Sequence, residues 1–125
     1  FIKSARKHRK RFGGGMRQAG YLAAACIYAL QNNILRLEED HQRAQELGAL
    51  LATLPWVEKV EPIETNIIIF SVRKTLEEKW VIDKLKQKNI HISSMGQGKL
   101  RIVTHLDYKQ VMHSYVMEHL AKMVF

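Results

Sequence analysis

Three consecutive glycines stand just before an arginine near the start of the 125-residue chain: Gly13, Gly14 and Gly15 precede Arg17. Free backbone N–H groups at the start of a helix attract anions, and a guanidinium can add a forked hydrogen bond to a phosphate. The spacing matches neither the GxGxxG nor the GxxxxGK[ST] phosphate loop. Two interpretations stand. One is a phosphate site with Arg17 in the first turn of the following helix, and the other is a flexible turn with Arg17 in solvent.

A second arginine, Arg101, falls in a stretch of strand character over residues 99–106. A guanidinium on a rigid strand can bind a carboxylate through two parallel hydrogen bonds. An exposed strand arginine without a ligand is the commoner case, and nothing in the neighbouring sequence favours the ligand-binding one. From the local sequence, Arg101 is therefore a candidate carboxylate-binding residue and no more.

Positive charge is concentrated at the start of the chain. Residues 1–18 carry seven basic residues and no acid, whereas the rest of the chain holds thirteen basic and twelve acidic residues. The run Lys7–Arg11 could contact the phosphates of a nucleic acid, but no aromatic ladder accompanies it and the remaining charge is nearly neutral. A solvated helix end is therefore favoured. Lys10 could also reach an anion held at the glycines.

Several kinds of chemistry are excluded by the residues that the chain lacks. Its six histidines form no HExxH motif, and Cys26 is its one cysteine, so we expect neither a disulfide nor a metal site. No GxSxG motif provides a nucleophile. No apolar run is long enough to span a bilayer. The single cysteine, expected to be buried among alanines, indicates a reducing compartment and hence a cytoplasmic protein.

The elements that would position these residues change character at Pro55. Before it, the composition and the apolar spacing predict helices over residues 1–11, 16–30 and 34–54. After it, the pattern predicts strands over residues 57–60, 66–72, 90–93 and 99–106. Two capping boxes, Thr75 with Glu78 and Asp107 with Gln110, predict the starts of a helix to residue 88 and of a last helix.

This order of elements predicts an α+β fold, in which N-terminal helices precede a small β-β-α-β-β-α domain. We expect a helical arm over residues 1–55 and the α+β domain over residues 56–125. In the strand 99–106, alternation places Leu100, Ile102, Thr104 and Leu106 on one face and Lys99, Arg101, Val103 and His105 on the other.

Two stretches of the chain closely resemble segments of the threonine aldolases. Residues 9–25 (RKRFGGGMRQAGYLAAA) resemble one segment, and residues 100–107 (LRIVTHLD) resemble the C-terminal strand motif of the family. Residues 37–41 and 65–66 also fit the pattern, so the resemblance covers essentially the whole chain in order. Threonine aldolases are pyridoxal-phosphate enzymes of fold type I, the aspartate-aminotransferase-like fold. The resemblance therefore implies that pyridoxal 5'-phosphate is the cofactor.

The resemblance also implies roles for individual residues. Arg17 would lie at the cofactor phosphate, Lys10 would join it as a cofactor-binding residue near the active-site mouth, and Arg101 would bind the α-carboxylate of the amino-acid substrate. Family members cleave L-threonine or L-allo-threonine to glycine and acetaldehyde. They are homotetramers, so the resemblance implies a homo-oligomer with a small-molecule substrate and neither nucleic acid nor membrane as a partner.

No catalytic residue is expected within this chain. The family's Schiff-base lysine lies in a Ser-x-x-Lys-Gly segment upstream of the triple glycine, and no such segment is present here. We therefore expect the chain to correspond to the C-terminal portion of the enzyme and to be inactive by itself. Two alternatives stay open: another β-eliminating pyridoxal-phosphate lyase of the same fold, and a basic nucleic-acid-binding module.

Overall fold

The computed structural model describes residues 1–124, which form five α-helices and four β-strands. Their bounds are α1 Ile2–Arg11, α2 Gly20–Asn32, α3 Leu37–Thr53, β1 Val57–Val60, β2 Ile67–Val72, α4 Glu78–Lys86, β3 Ser93–Gly96, β4 Lys99–Val103 and α5 Gln110–Ala121. The elements divide into two compact units, which are residues 1–36 and the described residues from Leu37 onwards.

The end of α1 is fixed by the first two glycines of the triple-glycine segment. Gly13 has a φ of +82°, a left-handed conformation that glycine adopts readily. Its N–H donates to the carbonyl of Lys10 at 3.3 Å, and the N–H of Gly14 donates to the carbonyl of Arg9 at 2.8 Å. This pair of bonds is a Schellman motif, which ends a helix and satisfies its last carbonyls.

Helix α2 begins at Gly20, whereas the sequence predicts a start at Met16. Residues 12–19 form the connection between α1 and α2, because the Schellman motif holds the glycines at the end of the first helix. Every residue of α2 is exposed, including Cys26, so the prediction that Cys26 is buried is wrong. No described residue packs closely enough over this alanine-rich helix to bury any of its side chains.

The second unit is built on an antiparallel sheet of four strands in the order β1-β2-β4-β3. The two central strands pair Ile67 with Val103 and Ser71 with Lys99. Strands β1 and β3 lie at the edges, each paired with the central strand nearest to it along the chain. Strands β2 and β4 are therefore each held by backbone hydrogen bonds on both sides.

Helices α3, α4 and α5 contribute to one buried apolar cluster with one face of the sheet. Its helical members are Ala44, Leu47, Leu51, Val81, Leu85, Val116 and Leu120, and its strand members include Ile68, Phe70, Val72 and Leu100. Leu100 and Thr104 are fully buried and Ile102 is half-buried, as the alternation predicts, whereas Leu106 lies beyond the strand and is exposed. These findings confirm an α+β fold.

The division of the chain differs from the predicted one at residue 55. Helix α3 belongs to the second unit, because the apolar side of α3 packs on the sheet and supplies three residues of the buried cluster. The boundary therefore falls between Arg36 and Leu37, and the first unit is shorter than the helical arm expected over residues 1–55. Pro55 ends a helix without ending a unit.

Both predicted capping boxes are absent, and one strand is displaced. Helix α4 begins only at Glu78, and α5 has Lys109 at its N-cap position; neither cap makes a side-chain hydrogen bond. Strand β3 spans Ser93–Gly96 instead of residues 90–93. The reason is the reversal at residues 96–98, where three successive positive φ angles bring β3 directly against β4.

Candidate functional site

The first candidate site is the loop that follows α1, where a basic side chain folds back over the glycines. A Cβ placed on Gly15 would overlap the Lys10 side chain and would lie 3.1 Å from its Nζ. A Cβ on Gly14 would lie 2.7 Å from Cγ of Arg9. The absence of side chains at these two positions therefore lets two basic residues of α1 lie against the loop.

The electrostatics of this loop depend on side chains more than on a helix terminus. The N–H groups of Gly13 and Gly14 already donate to the end of α1, so the triple glycine does not provide the helix N-terminus that the sequence suggests. Arg17 lies in the connection before α2, not in the first turn of that helix. The carbonyl end of α1 carries partial negative charge, so affinity for an anion must come from basic side chains, among which Lys10 and Arg17 are the predicted ones and are exposed.

The second candidate site is Arg101 at the centre of β4. Its Cα is paired with Ile69 of β2 on one side and with Ser93 of β3 on the other. It lies on the face opposite the buried cluster, between Lys99 and Val103, and it is exposed. A guanidinium is thus presented to solvent from a strand that is paired on both sides, which suits the binding of a planar carboxylate.

The charges near this face are partly neutralised. Lys99, two residues before Arg101 on the same face, lies 3.9 Å from Glu61, and Lys59 lies 2.6 Å from the other carboxylate oxygen. The hydrogen bond from Lys59 holds the pKa of Glu61 below its ordinary value. Glu61 is therefore an anion that two lysines share.

The end of β4 is locked by two residues whose role the sequence analysis missed. The amide of Asn66 donates to the carbonyl of Thr104 at 2.7 Å, and the N–H of Thr104 donates to the carbonyl of Asn66 at 3.0 Å. The Thr104 hydroxyl donates to the carbonyl of Asp40 at 2.7 Å. The start of β2, the end of β4 and the start of α3 are thereby joined three residues from Arg101. The sequence did offer a sign of this contact, because Asn66 and Thr104 each stand next to the end of a predicted strand.

A separate groove of about 660 Å³ lies on the helical side of the second unit. It is lined by residues of β4, of α5 and of the segment from the end of α4 to the start of β3, with His91, His105, Tyr108 and Tyr115 among them. Arg101 is not one of the lining residues, although Val103, two residues further along the same face of β4, is one of them. The groove therefore comes within two residues of the candidate carboxylate site along the strand.

The described residues contain neither a metal-binding cluster nor a membrane-spanning helix. Among residues 1–124, no three His, Cys, Asp or Glu side chains lie close enough together to hold a metal ion. None of the helices that the structure describes is long and apolar enough to cross a membrane.

The architecture is one that solved structures share. The fold matches that of C-DES, solved once as a mutant with glycine covalently linked to its PLP cofactor and once, as a cystine C-S lyase, with its product cysteine persulfide. The TM-score is 0.62 in both cases, with 20% sequence identity. The first match covers 85% of this chain and 29% of that structure. The α+β elements of this chain thus have the same fold as a segment of C-DES.

The family follows from the sequence. The model of the β-eliminating lyase family matches residues 1–75, and the chain belongs to that family. It is 38% identical to the low specificity L-threonine aldolase of Escherichia coli (strain K12) over 95% of this chain. It is 36% identical to low-specificity L-threonine aldolase 1 of Arabidopsis thaliana over 84% of this chain. The resemblance to threonine aldolases is confirmed. The chain spans about a third of the length of these relatives, 34% and 30% respectively.

Proposed function

We propose that this chain acts as the C-terminal portion of a pyridoxal-phosphate-dependent aldehyde-lyase that cleaves L-threonine or L-allo-threonine to glycine and acetaldehyde. The observation that carries the proposal is the 38% identity to a low specificity L-threonine aldolase over nearly the whole chain. The exposed cations of the two candidate sites support it, because the cofactor carries a phosphate and the substrate carries a carboxylate.

The residues of the α1–α2 connection fit the phosphate of this cofactor. Lys10, near the end of α1, lies across the bare backbone of Gly15, and Arg17 follows Gly15 by two residues, so an ammonium and a guanidinium are both offered at this loop. Both groups form strong, charge-assisted hydrogen bonds to phosphate oxygens. We therefore propose that Arg17 binds the phosphate through its forked N–H groups and that Lys10 binds it as a second cation.

Arg101 is proposed to bind the α-carboxylate of the amino-acid substrate. Two parallel hydrogen bonds from its guanidinium would fix both the position and the rotation of the carboxylate. When bound, the cofactor supplies a ring that takes up the electrons of the broken Cα–Cβ bond. Arg101 then orients the substrate so that this bond is the one that breaks, which is a positioning effect on the rate.

The proposal assigns no proton transfer to a side chain of this chain, and the 125 residues alone are expected to be inactive. Activity requires the further length that the relatives have. The helical segment over residues 1–36 would belong to, or contact, the cofactor domain, and the four-stranded unit would be the small C-terminal domain. We propose that the complete protein is cytoplasmic, as the single cysteine suggests, and a homotetramer, as the resemblance to threonine aldolases implies.

A second candidate function is another pyridoxal-phosphate lyase of the same fold. The observation that favours it is the fold shared with C-DES, a cystine C-S lyase. Arg17 and Arg101 suit either reaction, because both bind groups that are common to many amino-acid substrates and their cofactor. The two reactions are separated by the bond that breaks in the substrate.

The test is a product assay on the complete protein supplied with pyridoxal 5'-phosphate. L-allo-threonine and L-threonine should yield acetaldehyde and glycine, and L-cystine should yield no persulfide. Persulfide without acetaldehyde would replace the aldolase proposal with the lyase alternative. The 125-residue chain is the matched control, and acetaldehyde above the blank from this chain would contradict the statement that it is inactive alone. Steeply salt-dependent binding to DNA or RNA, without either product, would favour a nucleic-acid-binding module.

A further inference from the structure

The Lys10 side chain and Gly15 are in closer contact than an alanine at position 15 would allow. The three atoms nearest to an ideal Cβ at Gly15 are Cδ, Nζ and Cε of Lys10, the last two at 3.1 and 3.3 Å. A real Cβ essentially never comes as close to another atom as this Cβ would come to Cδ. The lysine therefore occupies the space that a side chain at position 15 would fill.

The backbone of Gly15 does not by itself require glycine. Gly13 adopts a positive φ in this loop, but Gly15 does not, so an alanine at position 15 meets no conformational penalty of that kind. The obstacle is the far end of a flexible lysine, which can swing away at low cost. An alanine would thus leave the fold in place and move the ammonium.

We propose that Gly15 is a positioning residue for Lys10, and that its missing side chain holds the ammonium over the loop where it binds the cofactor phosphate. This inference rests on the proposed function, since it deepens the account of the same phosphate site. The phosphate-binding geometry then depends on a contact between α1 and the third glycine, while the first two glycines end the helix.

The experiment is a double-mutant cycle in the complete protein, with dissociation constants for two probes. The variants are Lys10→Ala, Gly15→Ala and both together. The matched control is Gly20→Ala, because nothing lies within 4 Å of a Cβ at Gly20. The probes are pyridoxal 5'-phosphate and pyridoxal, which differ only in the phosphate, so their ratio reports phosphate binding and not general damage to the site. Circular dichroism checks that each variant is folded.

Each single substitution at position 10 or 15 should raise the Kd for pyridoxal 5'-phosphate about tenfold, the size expected when a charge-assisted hydrogen bond is lost. The double variant should be no weaker than Lys10→Ala alone. The Kd for pyridoxal should stay constant, and Gly20→Ala should match the wild type with both probes.

Three results would overturn the inference. The first is a ratio of the Kd for pyridoxal to the Kd for pyridoxal 5'-phosphate that falls in Lys10→Ala but stays at the wild-type value in Gly15→Ala. The second is full additivity in the double variant, which would mean that Gly15 acts independently of Lys10. The third is an unchanged preference in Lys10→Ala. A wild-type protein that binds both probes equally would instead overturn the proposed cofactor site itself, and that outcome is recognised before any variant is made.

Discussion

The ring of His113 joins α3 to α5: its Nε2 lies 2.8 Å from Oε2 of Glu46, and its Nδ1 lies 3.2 Å from the hydroxyl of Tyr108. His113 is buried. With Nε2–H donating to the carboxylate, Nδ1 accepts from the tyrosine hydroxyl. Burial raises the pKa of Tyr108 to about 12, so the tyrosine keeps its proton over the ordinary pH range. A single side chain thus connects two helices and the loop between β4 and α5.

Acidification should weaken this connection. Hydrogen bonds from Gln42 and His113 hold the pKa of Glu46 below its ordinary value of 4.5. A carboxyl whose pKa is lower in the folded state stabilises the fold above its unfolded pKa, and this stabilisation is lost as the pH falls through the folded pKa. Glu46→Gln keeps an oxygen that can accept from His113 but does not titrate. Its free energy of unfolding, from urea titrations, should therefore fall less than that of the wild type below about pH 4.5. Parallel pH profiles would contradict this.

The Thr104 hydroxyl should contribute to stability because it is fully buried and donates to the carbonyl of Asp40. Thr104→Val keeps the shape and removes this buried hydrogen bond, so the free energy of unfolding should fall by about 0.5–1.5 kcal/mol. Thr53→Val is the matched control, since the hydroxyl of Thr53 bonds to Leu50 at the exposed end of α3. The control should change stability by less than about 0.5 kcal/mol. Equal losses in both variants would show that burial of the hydroxyl is not the cause.

Leu47 lies at the centre of the contact between α3 and the sheet and is fully buried. Leu47→Ala should lower the free energy of unfolding by about 2–5 kcal/mol, through lost burial and the cavity left behind. Val111→Ala removes apolar atoms from a side chain that is 84% exposed and should stay within about 0.5 kcal/mol of the wild type. Urea denaturation measures both. A loss below about 1 kcal/mol for Leu47→Ala would mean that this core repacks easily.

Replacement of Arg101 should affect substrate binding and spare the cofactor. In the complete protein, Arg101→Ala should raise KM for L-allo-threonine about ten- to hundredfold, as expected for the loss of charge-assisted hydrogen bonds. Arg101→Lys should recover only part of the loss, because an ammonium lacks the planar fork. Arg73→Ala, at another exposed arginine of the same unit, is the control. If KM were unchanged in Arg101→Ala, its carboxylate role would be wrong.

Replacement of Arg17 should weaken cofactor binding and leave the KM for the substrate nearly unchanged. Arg17→Ala should raise the Kd for pyridoxal 5'-phosphate about tenfold, because one charge-assisted contact to the phosphate is lost. The KM at saturating cofactor should change little. Arg6→Ala removes an exposed arginine of α1 and serves as the control. Equilibrium dialysis measures cofactor retention in both, and equal retention in Arg17→Ala and wild type would remove Arg17 from the proposed phosphate site.

Periodicity of apolar residues predicted the parts of the fold that packing alone decides. Leu100, Ile102 and Thr104 lie on the inner side as the alternation requires, and the apolar side of α3 packs on the sheet. The order of helices and strands after Pro55 was also predictable. These features depend on burial, which repeats along the chain with the period of the element.

The features that the sequence did not predict, namely the helix starts and the polar contacts around β4, depend on hydrogen bonds between residues, many of them far apart in the chain. Glu78 has the spacing of a capping box with Thr75, yet its carboxylate accepts from the hydroxyl of Ser94, in the hairpin that packs against α4. Thr104 bonds to Asp40, 64 residues away in the chain. The triple glycine suggested the start of a helix and instead ends one, because the same residue type serves both roles and only the hydrogen bonds distinguish them.

The order of the strands has a consequence for biosynthesis. Strand β2 has β4 as its neighbour in the sheet, so Ile67 meets Val103 only after the intervening helix and hairpin exist. During synthesis, β2 therefore leaves the ribosome with one side unpaired, and its pairing with β4 cannot begin before Lys99, the partner of Ser71, has been made. The pairing is non-local, and such contacts close slowly. The nascent chain thus presents an apolar strand with one unpaired edge, residues 67–72, for that interval, and such edges are prone to aggregation.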